Sequence, residues 1–245
     1  MPLDFSPSIV LRKDEGLNRI IISNGVNNGI SNQGLREMLM SLTDAMSDNE
    51  NPILITGSGD KAFSMGYTAN CTKISDKIHL EEAYHLGTSV ARILLRSQVP
   101  IMAAVNGYAL GLGLEIALCC DFVIASAKAK FGMPEIKYGI PSLTGFVPEL
   151  TEKYSGALYA RVKSGEIFDA DEARKLGMIT SILPALNFNK AAIEYARKLK
   201  PDLVKMLKPE EKVSQYRTAI DSMFFRLYNP TCSTMMELER FRNSI

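Results

Sequence analysis

Apolar positions along the first half of the chain switch repeatedly between a strand-like and a helical pattern. Leu17 to Ser23 is rich in Ile and reads as a strand. Leu35, Met38, Leu39, Leu42, Ala45 and Met46 then fall on one face of a helix, which Asn51-Pro52 ends. Ile53-Leu54-Ile55-Thr56 is a short apolar run closed by Gly57-Ser58-Gly59 and reads as a buried strand. A second helical pattern carries Leu80, Ala83, Tyr84, Gly87, Val90, Ala91, Leu94 and Leu95. Pro100 stops it, and Ile101 to Val105 is the next strand. Gly107 to Cys120 reads as a glycine-rich turn entering a helix, and Phe122 to Ala125 as a further strand. Strands alternating with helices predict βαβ units, an α/β fold and mainly parallel pairing.

Asp169-Ala170-Asp171-Glu172 carries the spacing of a capped helix start, with Gly177 as its stop. Ile179 to Leu183 reads as a last short strand. Beyond about Asn187 the strand pattern fades into three helical stretches, broken near Pro209 and Pro230. The expected organisation is a core over residues 1–185 and a helical region over 186–245.

Composition narrows the class. The chain has 245 residues, enough for a sizeable core without disulfide staples, with 46% hydrophobic and 22% charged residues, as ordinary globular proteins have. A net charge of +1 argues against a global surface for nucleic acid. Charge is uneven, though: residues 186–245 hold 11 Lys/Arg against 7 Asp/Glu. This reads as a solvated helical surface, or more sharply as a patch for an anionic ligand or partner. Cys71, Cys119, Cys120 and Cys232 have neither metal-ligand nor disulfide-framework spacing, and only His79 and His85 accompany them, so no metal is expected. No N-terminal stretch combines basic, apolar and small-residue zones. The expected location is the cytoplasm, or an organelle after removal of a transit peptide. Ser97 to Leu114 lacks charge over nearly a membrane-spanning length, but Pro100, Asn106, Gly107, Gly111 and Gly113 interrupt it. It reads as strand, loop and buried helix, so no membrane contact is expected.

Common signatures fail. There is no phosphate-binding G-x-x-x-x-G-K-[ST] and no G-x-S-x-G elbow. Gly111-Leu112-Gly113 begins like a dinucleotide fingerprint, but Ile116 stands where Gly or Ala is needed. Three segments do carry chemistry. Lys61-Ala62-Phe63-Ser64-Met65-Gly66-Tyr67 comes after a strand, and Gly66 allows a peptide N–H to be aimed at a ligand. Asn106 through Gly111 and Gly113 to Glu115 is a glycine-rich helix entry, whose unpaired N–H groups suit an oxygen that gains negative charge. Phe131-Gly132-Met133-Pro134-Glu135 supplies a second carboxylate. Glu115 lies in an apolar helix, where a carboxylate needs a partner or a proton. Sequence spacing leaves open whether the two glutamates converge.

At this point the chain resembles the crotonase (enoyl-CoA hydratase/isomerase) superfamily. The match runs through Ile55-Thr56-Gly57, Lys61 to Ser64 with Gly66, Val105 to Ala109 with Gly113 and Glu115, Cys120-Asp121-Phe122, Phe131 to Glu135, and Ser164-Gly165-Glu166 with Ala170, Glu172-Ala173 and Leu176-Gly177. The resemblance implies a spiral of repeated ββα turns. It also implies a C-terminal helical region that serves in oligomer contacts, giving a homotrimer or a dimer of trimers. It implies a coenzyme A thioester as substrate rather than as cofactor. The thioester oxygen would be held by the peptide N–H groups of Tyr67 and Leu112. Substrate would be bound around Lys61, Ala62, Phe63, Ser64, Gly66, Gly111, Leu143 and Phe146. Glu135 would deliver a proton to the α-carbon, and Glu115 would orient or deprotonate the water attacking the β-carbon.

The chain also departs from the family pattern. Thr68 stands where many relatives carry Asp, Tyr67 replaces a common alanine, and Ser142 to Phe146 keeps little of the usual glycine-rich stretch. The tail Leu238-Glu239-Arg240-Phe241-Arg242 only loosely matches the basic aromatic tail of relatives, and no site residue is assigned there. The leading expectation is hydration of a trans-2-enoyl-CoA to the 3-hydroxyacyl-CoA. The alternatives are isomerisation of a 3-enoyl-CoA to a 2-enoyl-CoA, and non-catalytic binding of acyl-CoA or RNA on the same scaffold.

Overall fold

A computed structural model describes residues 7–47, 50–68, 77–145, 154–200 and 240–244. The chain opens with a hairpin of β1 (Ile9–Asp14) and β2 (Leu17–Ile22), turning at Glu15-Gly16. Helix α1 (Asn32–Ala45) comes next, its start capped by the Ser31 hydroxyl, which accepts from the Gly34 N–H at 3.2 Å.

A repeating path then begins. β3 (Ile53–Gly57) and β4 (Ala62–Ser64) lead to α2 (Lys77–Arg96). β5 (Ile101–Val105) and β6 (Tyr108–Leu110) lead to α3 (Leu112–Cys119). β7 (Phe122–Ser126) and β8 (Lys130–Gly132) lead to a 3-10 turn over Pro134–Tyr138. α4 (Gly156–Lys163), β9 (Phe168–Asp169), α5 (Ala170–Lys175), β10 (Ser181–Leu183) and α6 (Phe188–Ala196) complete the named elements. The first strand of each turn joins a six-stranded sheet in the order β1-β2-β3-β5-β7-β10, parallel except for the hairpin. The second joins a four-stranded sheet in the order β4-β6-β8-β9, in which only β9 runs antiparallel. This is a spiral of ββα turns, with successive turns stacked strand on strand.

Both faces of the larger sheet are buried, which explains its unbroken apolar strands. Ile53 and Ile55 of β3, with Ile101 and Ala103 of β5, face the main core shared with α1, α2 and α3. Leu54, Met102 and Ile124 face the other way and meet Phe188, Ala192 and Ala196 of α6. Thus the segment that begins near residue 186 first covers the outer face of the sheet. The helical stretches expected around Pro209 and Pro230 lie outside the described residues.

The sequence reading of 107–120 needs one correction. Tyr108 to Leu110 is not part of a turn but a strand, paired with β4 and β8. Three residues are too few to show a period, and the pairing is made only with other turns of the spiral. β4 and β8 were illegible for the same reason. The capped helix at Asp169 is present, with the Asp169 carboxylate accepting from the Glu172 N–H at 2.9 Å. No described helix is long and apolar enough to cross a membrane.

Candidate active site

The site forms at two neighbouring corners of the spiral, just past the short strands β4 and β6. At the other end of these strands Asn106 fastens the loops that enter them: its side-chain oxygen accepts from Gly57 N–H at 3.1 Å, and its amide donates to the carbonyls of Gly59 and Ala62 at 3.0 and 3.1 Å. After β4 the chain passes through Gly66, whose φ of +98° disfavours any side chain. Gly66 O accepts from Ile30 N–H, and Thr68 N–H donates to Ile30 O. In such extended pairing the intervening residue points its own N–H and C=O the opposite way. Tyr67 therefore turns both groups away from Ile30, and its carbonyl accepts from the Arg242 guanidinium.

The second corner is the start of α3. Gly111 is its cap at φ +50°, and Leu112 is the first helical residue, so the Leu112 N–H has no partner within the helix. A Cβ on Gly66 would lie 3.4 Å from that nitrogen, which brings the two corners together. A Cβ on Gly111 would lie 2.2 Å from Glu135 Oε1, so the glycine makes room for the carboxylate. Glu115 stands one turn into α3, its N–H bonded to Gly111 O at 2.9 Å. All eight residues of α3 are buried, Glu115 among them, and Glu135 is buried in the 3-10 turn.

Their environments differ sharply. Glu115 Oε2 accepts from the Ser142 hydroxyl at 2.7 Å, from Thr144 N–H at 2.8 Å and from the Thr144 hydroxyl. Its Oε1 accepts from Leu143 N–H at 3.3 Å. Burial raises the Glu115 pKa and these donors oppose it. Glu135 Oε2, by contrast, has no hydrogen-bond partner among the described residues. Burial pushes the Glu135 carboxyl up to about 7; the Arg242 charge pulls it down, and Glu115 adds a little upward. A carboxyl in that range can both give and take a proton near neutrality.

Several expected substrate-binding residues have other surroundings. Phe63 is wholly buried in the main core, and Ala62 and Ser64 are also fully buried in β4. Ala62 acts through its carbonyl, and the Ser64 hydroxyl accepts from Gly66 N–H at 3.1 Å, shaping the turn. The Lys61 carbonyl accepts from Tyr108 N–H at 3.0 Å. Leu143 is buried in the core and reaches the site through its N–H. Phe146 lies outside the described residues. Sequence reading missed three contributors: Ser142 and Thr144 as donors to Glu115, and Arg242. Nothing in their spacing points at Glu115, because the contacts cross 27 or more residues and, for Arg242, 175. It also missed Asn32, which accepts from the Tyr67 hydroxyl at 2.8 Å and donates to Glu82 at 2.8 Å, anchoring the Tyr67 side chain between α1 and α2.

Two buried carboxyls beside outward-turned peptide N–H groups define a class: a protein able to polarise a carbonyl oxygen and move protons next to it. Comparison makes the class specific. The family model for enoyl-CoA hydratase/isomerase matches residues 12–225. A crotonyl-CoA hydratase of Syntrophomonas wolfei is 33% identical over 187 residues, covering 72% of this chain and 69% of that protein. A short-chain-enoyl-CoA hydratase of Clostridium acetobutylicum is 31% identical over 174 residues, covering 70% and 67%. Among solved structures, Pseudomonas aeruginosa DspI shares the fold, with a TM-score of 0.78 at 24% identity over 99% of this chain and 90% of that one. The chain belongs to the enoyl-CoA hydratase/isomerase family, the crotonase superfamily expected from its motifs.

Proposed function

We propose that this protein hydrates a trans-2-enoyl-CoA to the 3-hydroxyacyl-CoA. The observation that carries this reading is the meeting of Glu115 and Glu135 at the start of α3, next to the N–H groups of Tyr67 and Leu112. The two N–H groups would hold the thioester oxygen and stabilise the enolate charge it gains. Water adds through oxygen to the β-carbon while Glu115 orients it or takes its proton. Glu135 gives a proton to the α-carbon, and proton exchange with solvent restores both carboxyls. Oxyanion donors of this kind contribute on the order of 10²–10³-fold each, and a positioned acid or base roughly 10²–10⁴-fold. Coenzyme A enters as part of the substrate, and the reading carries with it a homotrimer or dimer of trimers in the cytoplasm, with residues 186–245 at the oligomer contact. The named relatives, hydratases at about one third identity, support it.

One observation favours a second reading, a double-bond shift from 3-enoyl- to 2-enoyl-CoA. Glu115 is engaged by three residues of the 142–144 loop, whereas Glu135 has an oxygen without a partner among the described residues. A single available carboxylate suffices to carry a proton from the α- to the γ-carbon.

Incubation with crotonyl-CoA in ¹⁸O-water separates the two. Hydration puts label in the product hydroxyl, and Glu115→Gln and Glu135→Gln each reduce it by about a hundredfold or more. If no label enters, and a 3-enoyl-CoA is isomerised by Glu115→Gln but not by Glu135→Gln, the hydratase reading falls and the isomerase reading stands.

A further inference from the structure

Glu115 is held by three consecutive residues, and they treat its two oxygens unequally. Oε2 accepts from the Ser142 hydroxyl at 2.7 Å, from Thr144 N–H at 2.8 Å and from the Thr144 hydroxyl. Among the described residues, Oε1 accepts from Leu143 N–H alone, at 3.3 Å, longer than the usual spacing of about 2.9 Å. A carboxylate oxygen has about two lone-pair sites. Oε2 is therefore fully taken up, while Oε1 has room for a further donor. The loop itself is braced from behind. Leu143 meets Glu115 through its N–H and α2 through its C=O: a Cβ on Gly87, midway along α2, would lie 2.4 Å from that carbonyl oxygen. No side chain fits there, so helix backbone and loop backbone touch directly. The Leu143 side chain joins the main core, and Thr144 is 1% exposed.

Two of the four donors are peptide N–H groups, which can only donate, so the loop meets Glu115 as an acceptor. We infer that residues 142–144 anchor Glu115 by Oε2 and leave Oε1 to receive the attacking water, with Ser142 and Thr144 as positioning residues and Gly87 as the seat of their loop. This rests on the hydratase reading, in which Glu115 handles the water. It explains how a carboxylate engaged by a whole loop is still able to react: the engagement falls mainly on the oxygen that does not. Holding the other oxygen in place removes orientational freedom before the chemistry begins. The titratable groups on the elements around Glu115 are Glu135 of the 3-10 turn, Tyr67 and Tyr84 in the main core, and Arg242 of the tail, whose charge reaches Glu135. Loss of a donor to Oε2 disfavours the charged carboxylate, so Glu115 would then release its proton at higher pH.

The test measures kcat/KM for hydration of crotonyl-CoA by the full chain from about pH 5 to about pH 9. Thr144→Val is expected to lose about tenfold at the acid end, with its acid limb moved up by about one pH unit. It should approach the wild-type value at the alkaline end. Thr144→Ser keeps a hydroxyl and should restore most of the loss. Gly87→Ala keeps every donor but pushes the loop away from α2, and should move the same limb in the same direction. If Thr144→Val does not fold, Ser142→Ala, which removes another donor from Oε2, carries the same expectation. A rise in kcat/KM on removing either hydroxyl overturns the assignment, because Oε2 would then be the reacting oxygen and the loop a clasp that withholds it. A loss by one factor at every pH, without rescue by Thr144→Ser, overturns it too and leaves the hydroxyl a merely structural role. So does an unchanged profile in both Thr144→Val and Gly87→Ala. Each of these three results leaves the hydratase reading standing. If wild type hydrates no crotonyl-CoA at all, that reading fails and takes this one with it.

Discussion

Replacing Glu135 with glutamine keeps the shape of the side chain and removes its titration. Burial lifts the Glu135 carboxyl from 4.5 to about 7 against the pull of Arg242. Between these values the folded chain holds a proton that the unfolded chain has released. The raised value therefore contributes stability that is full below about pH 4.5 and is lost as pH rises through about 7. At 1.36 kcal/mol per pKa unit the whole effect is about 3 kcal/mol, of which about 2 kcal/mol falls between about pH 5.5 and pH 8.5. Relative to wild type, Glu135→Gln should thus gain about 2 kcal/mol across that range, whatever its offset at the acid end. Urea denaturation at several pH values measures the difference directly. For a chain of this size it corresponds to roughly 4–8 °C in thermal midpoint. A constant difference between the two proteins from about pH 5.5 to 8.5 would refute the reasoning, since Glu135 would then titrate where an ordinary glutamate does. If instead wild type gains on the variant as pH rises toward about 4.5, below that window, the Arg242 charge outweighs burial. Either result also removes the basis for a protonated Glu135 near neutral pH.

The contacts around the site lead to two more expected outcomes. Thr144→Val deletes a hydroxyl that donates to Glu115 Oε2. A side-chain hydrogen bond contributes about 0.5–3 kcal/mol, the upper end when the acceptor is ionised, so urea denaturation should show a loss of that order, and the Glu115 pKa should rise further. Tyr67→Phe leaves the Asn32 side-chain oxygen without the donor it has at 2.8 Å. The expected cost is about 1–3 kcal/mol of stability. Because the Tyr67 peptide N–H is untouched, kcat/KM should fall less than tenfold; a hundredfold loss would mean that the side chain itself meets the substrate.

The legibility of this protein divides by the range of the interactions. Long elements with a period were readable: α1 and α2 from their apolar faces, β3 and β5 from unbroken runs that a two-sided sheet requires. The start of α5 was readable from its cap, because the Asp169 side chain bonds only three residues ahead. β4, β6 and β8 were not, since three residues have no period and each finds its partner in the next turn of the spiral. At the site, Gly66 and Gly111 stood out as glycines at turns and Glu115 as a carboxylate in an apolar run, whereas Glu135 gained its weight from Glu115 and from the family resemblance.

The amino-acid sequence by itself determined the α/β class from residue type and nearby spacing, carried the motifs by which the chain resembles its family, and singled out the two glutamates as candidates. Only the tertiary structure decided that Glu115 is wrapped by Ser142, Leu143 and Thr144, and that Glu135 keeps an oxygen clear of any described donor. It also decided that Arg242 reaches the Tyr67 carbonyl from the far end of the chain. The physical reason is that a carboxyl's proton affinity depends on its burial and on the charges around it. Those are supplied by residues that become neighbours only when the spiral closes.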